Sequence, residues 1–472
     1  MSNLEAEVVI CGAGIAGIAV AYKLAVKRGV KNVVLLEQDA PLSLTSDKST
    51  ECYRNWWPVK PPERPGDAGT HGPDGAMIAL MNRSIERLEQ IARESDDRIG
   101  LGRRGYLYAT AEAGKVPVLL EAAENAARMG AGPLRVHDGK GGSYAPAPAH
   151  GFEGQPDGAD LITDKALIRR HFPYLAEDTV AVLHARRAGW FSAQQLGMWM
   201  LEQARAHGVR LVQGRVTGVQ TTAGRVSAVE ARREDGSAFT VRTPCFVNAA
   251  GPMQKAVGQM LGVEIPVFAE LHLKMSFPEH LGVVPREAPM LIWADEVRLP
   301  WSPEEQEMLA EEPSTRWLLE PFPPGVHCRP DGHGESNTLI VLYNYHLEPL
   351  EPRFPLPIDP HYADVALRGM ARMIPGLGRY FEKAPKPWID GGYYVKTREN
   401  RPLIGPLGVE GAYVVGALSG FGVMAACAAG ELLAAHILGD PLPEYAPAFS
   451  LERYRDPEYL RALERFGDGA QL

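Results

Sequence analysis

Cysteine is scarce and unpatterned in this chain of 472 residues: Cys11, Cys52, Cys245, Cys328 and Cys427 are odd in number and none stands in a CxxC or Cys/His spacing. That excludes a disulfide framework and a zinc centre from the reading. Cys11, Cys245 and Cys427 lie in apolar runs and read as small core residues, which suits a reducing, cytoplasmic setting. His272, His327, His333 and His346 also lack metal-ligand spacing. Positive charge is not in excess: the net charge of -9 argues against a chain that works on nucleic acid or anionic lipid. Long apolar runs are missing too. The longest, 423–438, is interrupted by Glu431 and His436 and is expected to be too short for a membrane span. The N-terminal MSNLEAE is polar and leads straight into a strand, so no signal peptide is expected.

What the chain does have is glycine in two telling places. EVVICGAGIAGIAVAYKLAVKRGVKNVVLLEQ opens on the buried-strand pattern Val8-Val9-Ile10, then sets Gly12, Gly14 and Gly17 as G-x-G-x-x-G ahead of a helical segment. A second strand follows and ends in Glu37. Gly12 permits the tight turn, Gly14 lets backbone approach a pyrophosphate, and Gly17 lets the helix pack on the strand. The helix start offers free N–H groups and a positive dipole end to phosphates. Glu37, 20 positions past Gly17, falls where an acid accepts hydrogen bonds from ribose hydroxyls, which disfavours a 2′-phosphate and leaves NAD or FAD. For NAD, further βα units should follow at once. Instead LSLTSDKSTECYRNWWPVKPPERPGDAGTHGPDG reads as loop, so the dinucleotide domain is expected to break off and resume later.

It resumes near Ala188. A helix is expected over Ser192–Ala206, a strand over Arg210–Gln213, hairpin turns at Gly224 and Asp235-Gly236, and a buried strand Cys245–Asn248 running into Ala249-Ala250-Gly251-Pro252. A second glycine-rich turn, GALSGFGVMAACAAGELLAAHIL, feeds an apolar helix near the other end of the chain.

The GAGIAG turn with Glu37, the LEQARAHGVRLVQGRVTGV unit, the NAAGP strand end and ENRPLIGP…VVGALSGFGVMAACAAGELLA stand in the order of the D-amino-acid oxidase / glycine oxidase / sarcosine oxidase family of FAD enzymes, which this chain resembles over essentially its whole length. The resemblance implies one extended cofactor, FAD, touching both glycine-rich turns. It carries FAD contacts onto Gly12, Ala13, Gly14, Ile15, Ala16 and Gly17 for the pyrophosphate, and onto Glu37 and Gln38 for the ribose. Val216 would meet the adenine through its backbone, and Ala249, Ala250 and Gly251 would form a second pyrophosphate-side turn. Gly416, Gly420, Phe421, Gly422, Val423 and Met424 would form the flavin-side turn. The segment TSDKSTECYRNWWP resembles the loop beneath the flavin, with Ser49, Thr50 and Arg54 as the residues that reach cofactor or substrate.

Because the flavin takes the hydride, the protein need only bind, orient and tune, and no triad is visible. A substrate carboxylate would want Arg, Lys or Tyr; the candidates are Arg54, Lys274, Tyr393, Tyr394, Lys396 and Arg398. In glycine-oxidase-like members an Arg stands about where Tyr394 falls here. Gly392 stands near the Cys that links FAD in sarcosine oxidases, so FAD is expected to be non-covalent. Lys274 would assist oxygen activation if buried beside the flavin. Trp293, Trp301, Trp317, Phe322, Tyr343 and Tyr345 would either line a substrate pocket or form the core of a sheet.

The expected architecture is α/β: a Rossmann-like FAD-binding domain from 1–60, 160–260 and 385–440 is interleaved with an α+β substrate domain. That second domain, from 61–159 and 261–384, is built on a largely antiparallel sheet, and 441–472 is a tail ending in a short surface helix. The expected function is oxidation of the carbon beside nitrogen in a small-molecule amine or amino acid, the imine then hydrolysing, with oxygen or an electron carrier as acceptor. A 2-hydroxy-acid dehydrogenase and a non-catalytic flavoprotein scaffold are the rival readings.

Overall fold

The computed structural model describes residues 4–57, 73–140, 143–332, 336–383 and 385–463. Two sheets organise it. The first has six strands in the order 210–213, 33–37, 8–11, 246–248, 412–416, 403–406, all parallel except the last pair. Val8–Cys11 is buried at every residue, as a parallel strand covered on both faces must be. Helices Ile15–Tyr22 and Gly422–Leu438 lie together on one of those faces with Ala193–Ala206 and Pro73–Glu94, around a single apolar core. Ser192 caps the helix at 193–206 by accepting from Gln195 N–H. A three-stranded meander, 215–222, 225–232 and 238–242, with 4–5 on its edge, covers the other face.

The second sheet has nine strands in the order 388–396, 268–278, 338–342, 327–330, 290–293, 106–110, 181–185, 159–162, 134–137. Its pairings are antiparallel except 290–293 with 106–110 and 134–137 with 159–162. Helix Tyr362–Met373 backs it over a second core.

Three expectations are corrected. Strands 159–162, 181–185 and 388–396 pair within the nine-stranded sheet and not with the parallel one, unlike the grouping expected from sequence. Within the expected loop, Cys52–Arg54 forms a short strand against Ala188–Trp190, while 58–72 lies outside the described residues. The apolar run near the C-terminus is long enough to cross a bilayer, as Ser419–Leu438, but most of it is buried inside the protein as a core helix. The expected tail helix spans Pro457–Leu463; residues past 463 lie outside the described ones.

Candidate active site

The carboxyl ends of the parallel strands open onto one long groove, made of clefts of about 1150 Å³ and 660 Å³ with their open mouths included. Gly14, Thr45, Ser46, Ala249, Gly251 and Pro252 border both clefts and form the waist between them. At one end are Glu37, Gln38 and Val216. At the other, apolar end are Tyr394, Val415, Leu418 and Val423 with Gly416, Gly420 and Gly422. Two glycines are held by close packing. A Cβ on Gly12, whose φ is +105°, would come 2.5 Å from the Ala249 carbonyl oxygen, and one on Gly17 would run into the Gly12 carbonyl. The Glu37 carboxylate accepts from the Ala13 N–H at 2.7 Å and the Asp39 N–H at 3.0 Å, which fixes the acid at the groove edge.

Residues 45–51 cross from the dinucleotide half to the nine-stranded sheet. Ser46 Oγ accepts from the Ile15 N–H at the helix start (3.0 Å), and Thr45 Oγ1 donates to the Tyr393 carbonyl (3.1 Å). Two cations of the sheet grip successive carbonyls: Lys274 Nζ donates to Ser49 O at 3.0 Å, and the buried Arg329 donates through Nε to Thr50 O at 2.8 Å. Burial pushes the Lys274 pKa down against the opposing pull of Asp390 and Glu51.

Antiparallel register puts Glu270 opposite Tyr394 and His272 opposite Gly392, so Glu270, His272, Lys274, Tyr394 and Lys396 share one face. Lys396 Nζ binds both Glu270 oxygens at 3.0 and 3.1 Å, and Glu270 Oε2 lies 3.0 Å from His272 Nε2. The His272 ring stacks on Tyr394 with centroids 4.0 Å apart and planes 15° apart. Burial works to raise the Glu270 pKa, but the His272 hydrogen bond and the Lys396 charge outweigh it and hold the carboxyl low. Burial lowers the His272 pKa and pushes the Tyr394 phenol up to about 12. Arg54 lies buried within an aromatic cluster: Nη1 donates to Tyr108 Oη at 2.7 Å, and the guanidinium sits 5.0 Å from the Trp57 ring and 5.5 Å from that of Tyr106. Trp57 in turn meets Phe421 edge-on at 5.2 Å, joining this cluster to the second glycine-rich turn.

Of the expected cofactor residues, Ala13, Gly17, Thr50, Phe421 and Met424 support the groove without bordering it: Ala13 and Thr50 through backbone bonds, the others through packing. Tyr394 borders it, whereas Lys396 is bound to Glu270, and Arg398 is exposed. Sequence reasoning missed Thr45 and Ser46, although they open the very segment singled out, and also Gln254. Gln254 Oε1 accepts from the Ala417 N–H (3.2 Å), while Asn248 Nδ2 donates to the Gln254 backbone carbonyl (2.8 Å), so two buried side chains, Asn248 and Gln254, tie the turns together. The aromatic group resolves toward core: Trp293, Phe322 and Tyr343 are buried behind the nine-stranded sheet, with Trp301, Trp317 and Tyr345 packed on them. Among the described residues no three His, Cys, Asp or Glu gather as a metal site; His333 lies outside them.

The groove passes the test for an extended dinucleotide. It has an acid at one end, a waist bordered by Gly14, Ala249 and Gly251 where little side chain intrudes, and an apolar end suited to a flat ring system. Fold and site together define a dinucleotide-dependent redox enzyme. Residues 7–436 match the profile described as FAD dependent oxidoreductase (DAO), and the chain belongs to that family. The protein is therefore an FAD-dependent oxidoreductase. Similar solved structures include L-proline dehydrogenase from P. horikoshii (19% identity, 98% of this chain and 99% of that one, TM-score 0.68) and glycine oxidase from Geobacillus kaustophilus (16%, 95% and 99%, TM-score 0.69). L-amino acid deaminase from Proteus vulgaris is another (17%, 96% and 98%, TM-score 0.66). Comparison with curated proteins finds no match.

Proposed function

We propose that the enzyme oxidises the carbon beside nitrogen of an amino acid or amine, releasing an imine that water hydrolyses. Structural relatives named for proline, glycine and L-amino acids support this class of donor. The observation that carries the reading is Arg54: a buried guanidinium in an aromatic cluster that reaches the second glycine-rich turn through Trp57 and Phe421. We assign it to a substrate carboxylate, for which a planar fork of donors is suited.

Bound FAD supplies the hydride acceptor. Glu37, Gly12, Gly14, Ala249 and Gly251 hold the adenosine and pyrophosphate parts, and the turn at 416–423 holds the flavin. The Tyr394 hydroxyl makes no hydrogen bond to another described residue and is kept protonated by burial, so it is a donor available to substrate. Oxygen or an electron carrier completes the cycle, and the five free cysteines suit a reducing cytoplasm.

The test is an anaerobic visible spectrum of the holoenzyme titrated with amino acids, amines and hydroxy acids, then opened to air. Bleaching by amino acids is expected, and the rate of recovery in air distinguishes an oxidase from a dehydrogenase. Bleaching by hydroxy acids alone would replace the reading, and a flavoprotein that no donor bleaches would be a scaffold. Arg54→Met is expected to raise KM for a carboxylate donor about tenfold or more, the size of one charge-assisted hydrogen bond, and to spare a donor without a carboxylate.

A further inference from the structure

We propose that Lys396, Glu270 and His272 are positioning residues acting through Tyr394: Lys396 neutralises Glu270, Glu270 fixes the tautomer of His272, and the uncharged imidazole is the platform on which the Tyr394 ring lies. The kinetic part of this inference rests on the donor class proposed above; the state of His272 does not.

A carboxylate only accepts, so the 3.0 Å contact with Glu270 Oε2 places the proton of a neutral imidazole on Nε2. Nδ1 is then a lone pair, and it is a buried atom without a hydrogen-bond partner. A second proton would charge a ring whose side chain is only 1% exposed, a state that burial disfavours, with the uncharged Asn344 beside it. What could nevertheless draw a proton onto the ring is the negative charge of Glu270. Lys396 stands against that by binding both carboxylate oxygens. The other groups facing His272 are the Tyr394 ring from strand 388–396, Asn344 beyond strand 338–342, and His327 from the next strand, itself near Arg54. None of them supplies a second negative charge.

The stack fixes Tyr394 as well. Planes 15° apart at 4.0 Å hold the phenol at one angle, with its hydroxyl left for ligand. Gly392, opposite His272, has no side chain that could compete for this face; a Cβ there would come 3.2 Å from Thr45 Cα, where residues 45–48 cross. Lys396, one of the candidates for touching substrate, thus acts through three residues, Glu270, His272 and Tyr394.

The test uses ¹⁵N-histidine NMR of the FAD-loaded protein, with the His272 signals identified by their loss in His272→Phe. In the native protein they are expected to report a neutral ring protonated on Nε2 and to stay unmoved from about pH 5.5 to 8.5, the interval in which histidine ordinarily titrates. In Lys396→Met the same signals are expected to titrate within that interval, and in Lys396→Arg they are expected to stay unmoved. With an amino-acid donor, His272→Phe keeps a flat ring and is expected to hold kcat/KM within about threefold, while His272→Ala loses about tenfold, the upper end of what one aromatic pair contributes. Lys396→Met is expected to gain a pH dependence in kcat/KM that Lys396→Met/His272→Phe lacks. A His272 that titrates in the native protein, or one that stays neutral in a folded, FAD-loaded Lys396→Met, would overturn the inference. So would equal losses in His272→Phe and His272→Ala.

Discussion

Gly430 lies directly on the backbone of Ala19: a Cβ at Gly430 would come 2.7 Å from the Ala19 carbonyl carbon and 2.9 Å from its oxygen. The contact sets how closely the helix at 422–438 approaches the helix at 15–22, whose start faces the cofactor groove.

Gly430→Ala therefore has two opposing effects. Helix propensity favours alanine by about 1 kcal/mol. Overpacking against backbone, which cannot rotate away, costs about 1–3 kcal/mol. The second should win, giving a net loss of about 1 kcal/mol in a denaturant midpoint and weaker retention of FAD on dilution. A variant more stable than the native protein would show that the helices separate freely.

Glu431 is surrounded by Lys23 at 3.0 Å, Arg87 at 2.7 Å and Arg83, on three helices that meet there. Burial works to raise its pKa, but hydrogen bonds and charges from these cations bring it down to about 2. A depressed folded-state pKa contributes stability that is present above the unfolded value, about 4.3, and is lost as pH falls through the folded one. Glu431→Gln should thus destabilise at neutral pH by about 3 kcal/mol, since Lys23 is left buried without its carboxylate. The gap to the native protein should narrow only below about pH 4. Urea midpoints measured for both proteins across that range would show it; a gap independent of pH would contradict the assignment.

Gln254 tests whether the two turns of the groove are held as a unit. In Gln254→Ala the Ala417 N–H loses its acceptor while remaining buried, a cost of about 1–3 kcal/mol. We expect the FAD dissociation constant to rise about tenfold, read by fluorescence of released flavin, with far-UV circular dichroism unchanged. Native FAD affinity in this variant would remove Gln254 from the site.

At the C-terminal segment, Glu399 Oε1 accepts from Arg453 Nε (2.9 Å) and Nη2 (2.7 Å), Tyr454 Oη (2.8 Å) and Tyr459 Oη (2.8 Å), and its side chain is fully buried. Arg453→Met leaves that carboxylate without its cation, at about 3 kcal/mol. The loss should appear first as protease cleavage within 441–463 while FAD stays bound; simultaneous loss of FAD would mean that the segment supports the groove.

What could be read from sequence was what is local. The turn at Gly12–Gly17, the acid at Glu37 and the Ser192 cap each lie within one strand or helix of the residues they serve. The pairing of strands 159–162 and 181–185 in the nine-stranded sheet is not legible in the sequence, because ADLI and AVLHA are buried in either setting and nothing within them names the partner. The same blindness hid Gln254 and the stack of His272 on Tyr394. Both depend on which distant strands become neighbours, and a lone buried His reads as core until its register partner is known.

The order of strands in the parallel sheet also dictates a timetable. Strand 246–248 sits between 8–11, made first, and 412–416, made nearly last. While the chain is being synthesised, the N-terminal glycine turn is present long before the strands and helix that complete its sheet and cover its helix. The cofactor half is accordingly a late product of translation, exposed meanwhile as unpaired strand edges of the kind that chaperones shield. A nonsense codon anywhere before about residue 400 would forfeit the binding of FAD, although the motif that announces it was finished hundreds of residues earlier.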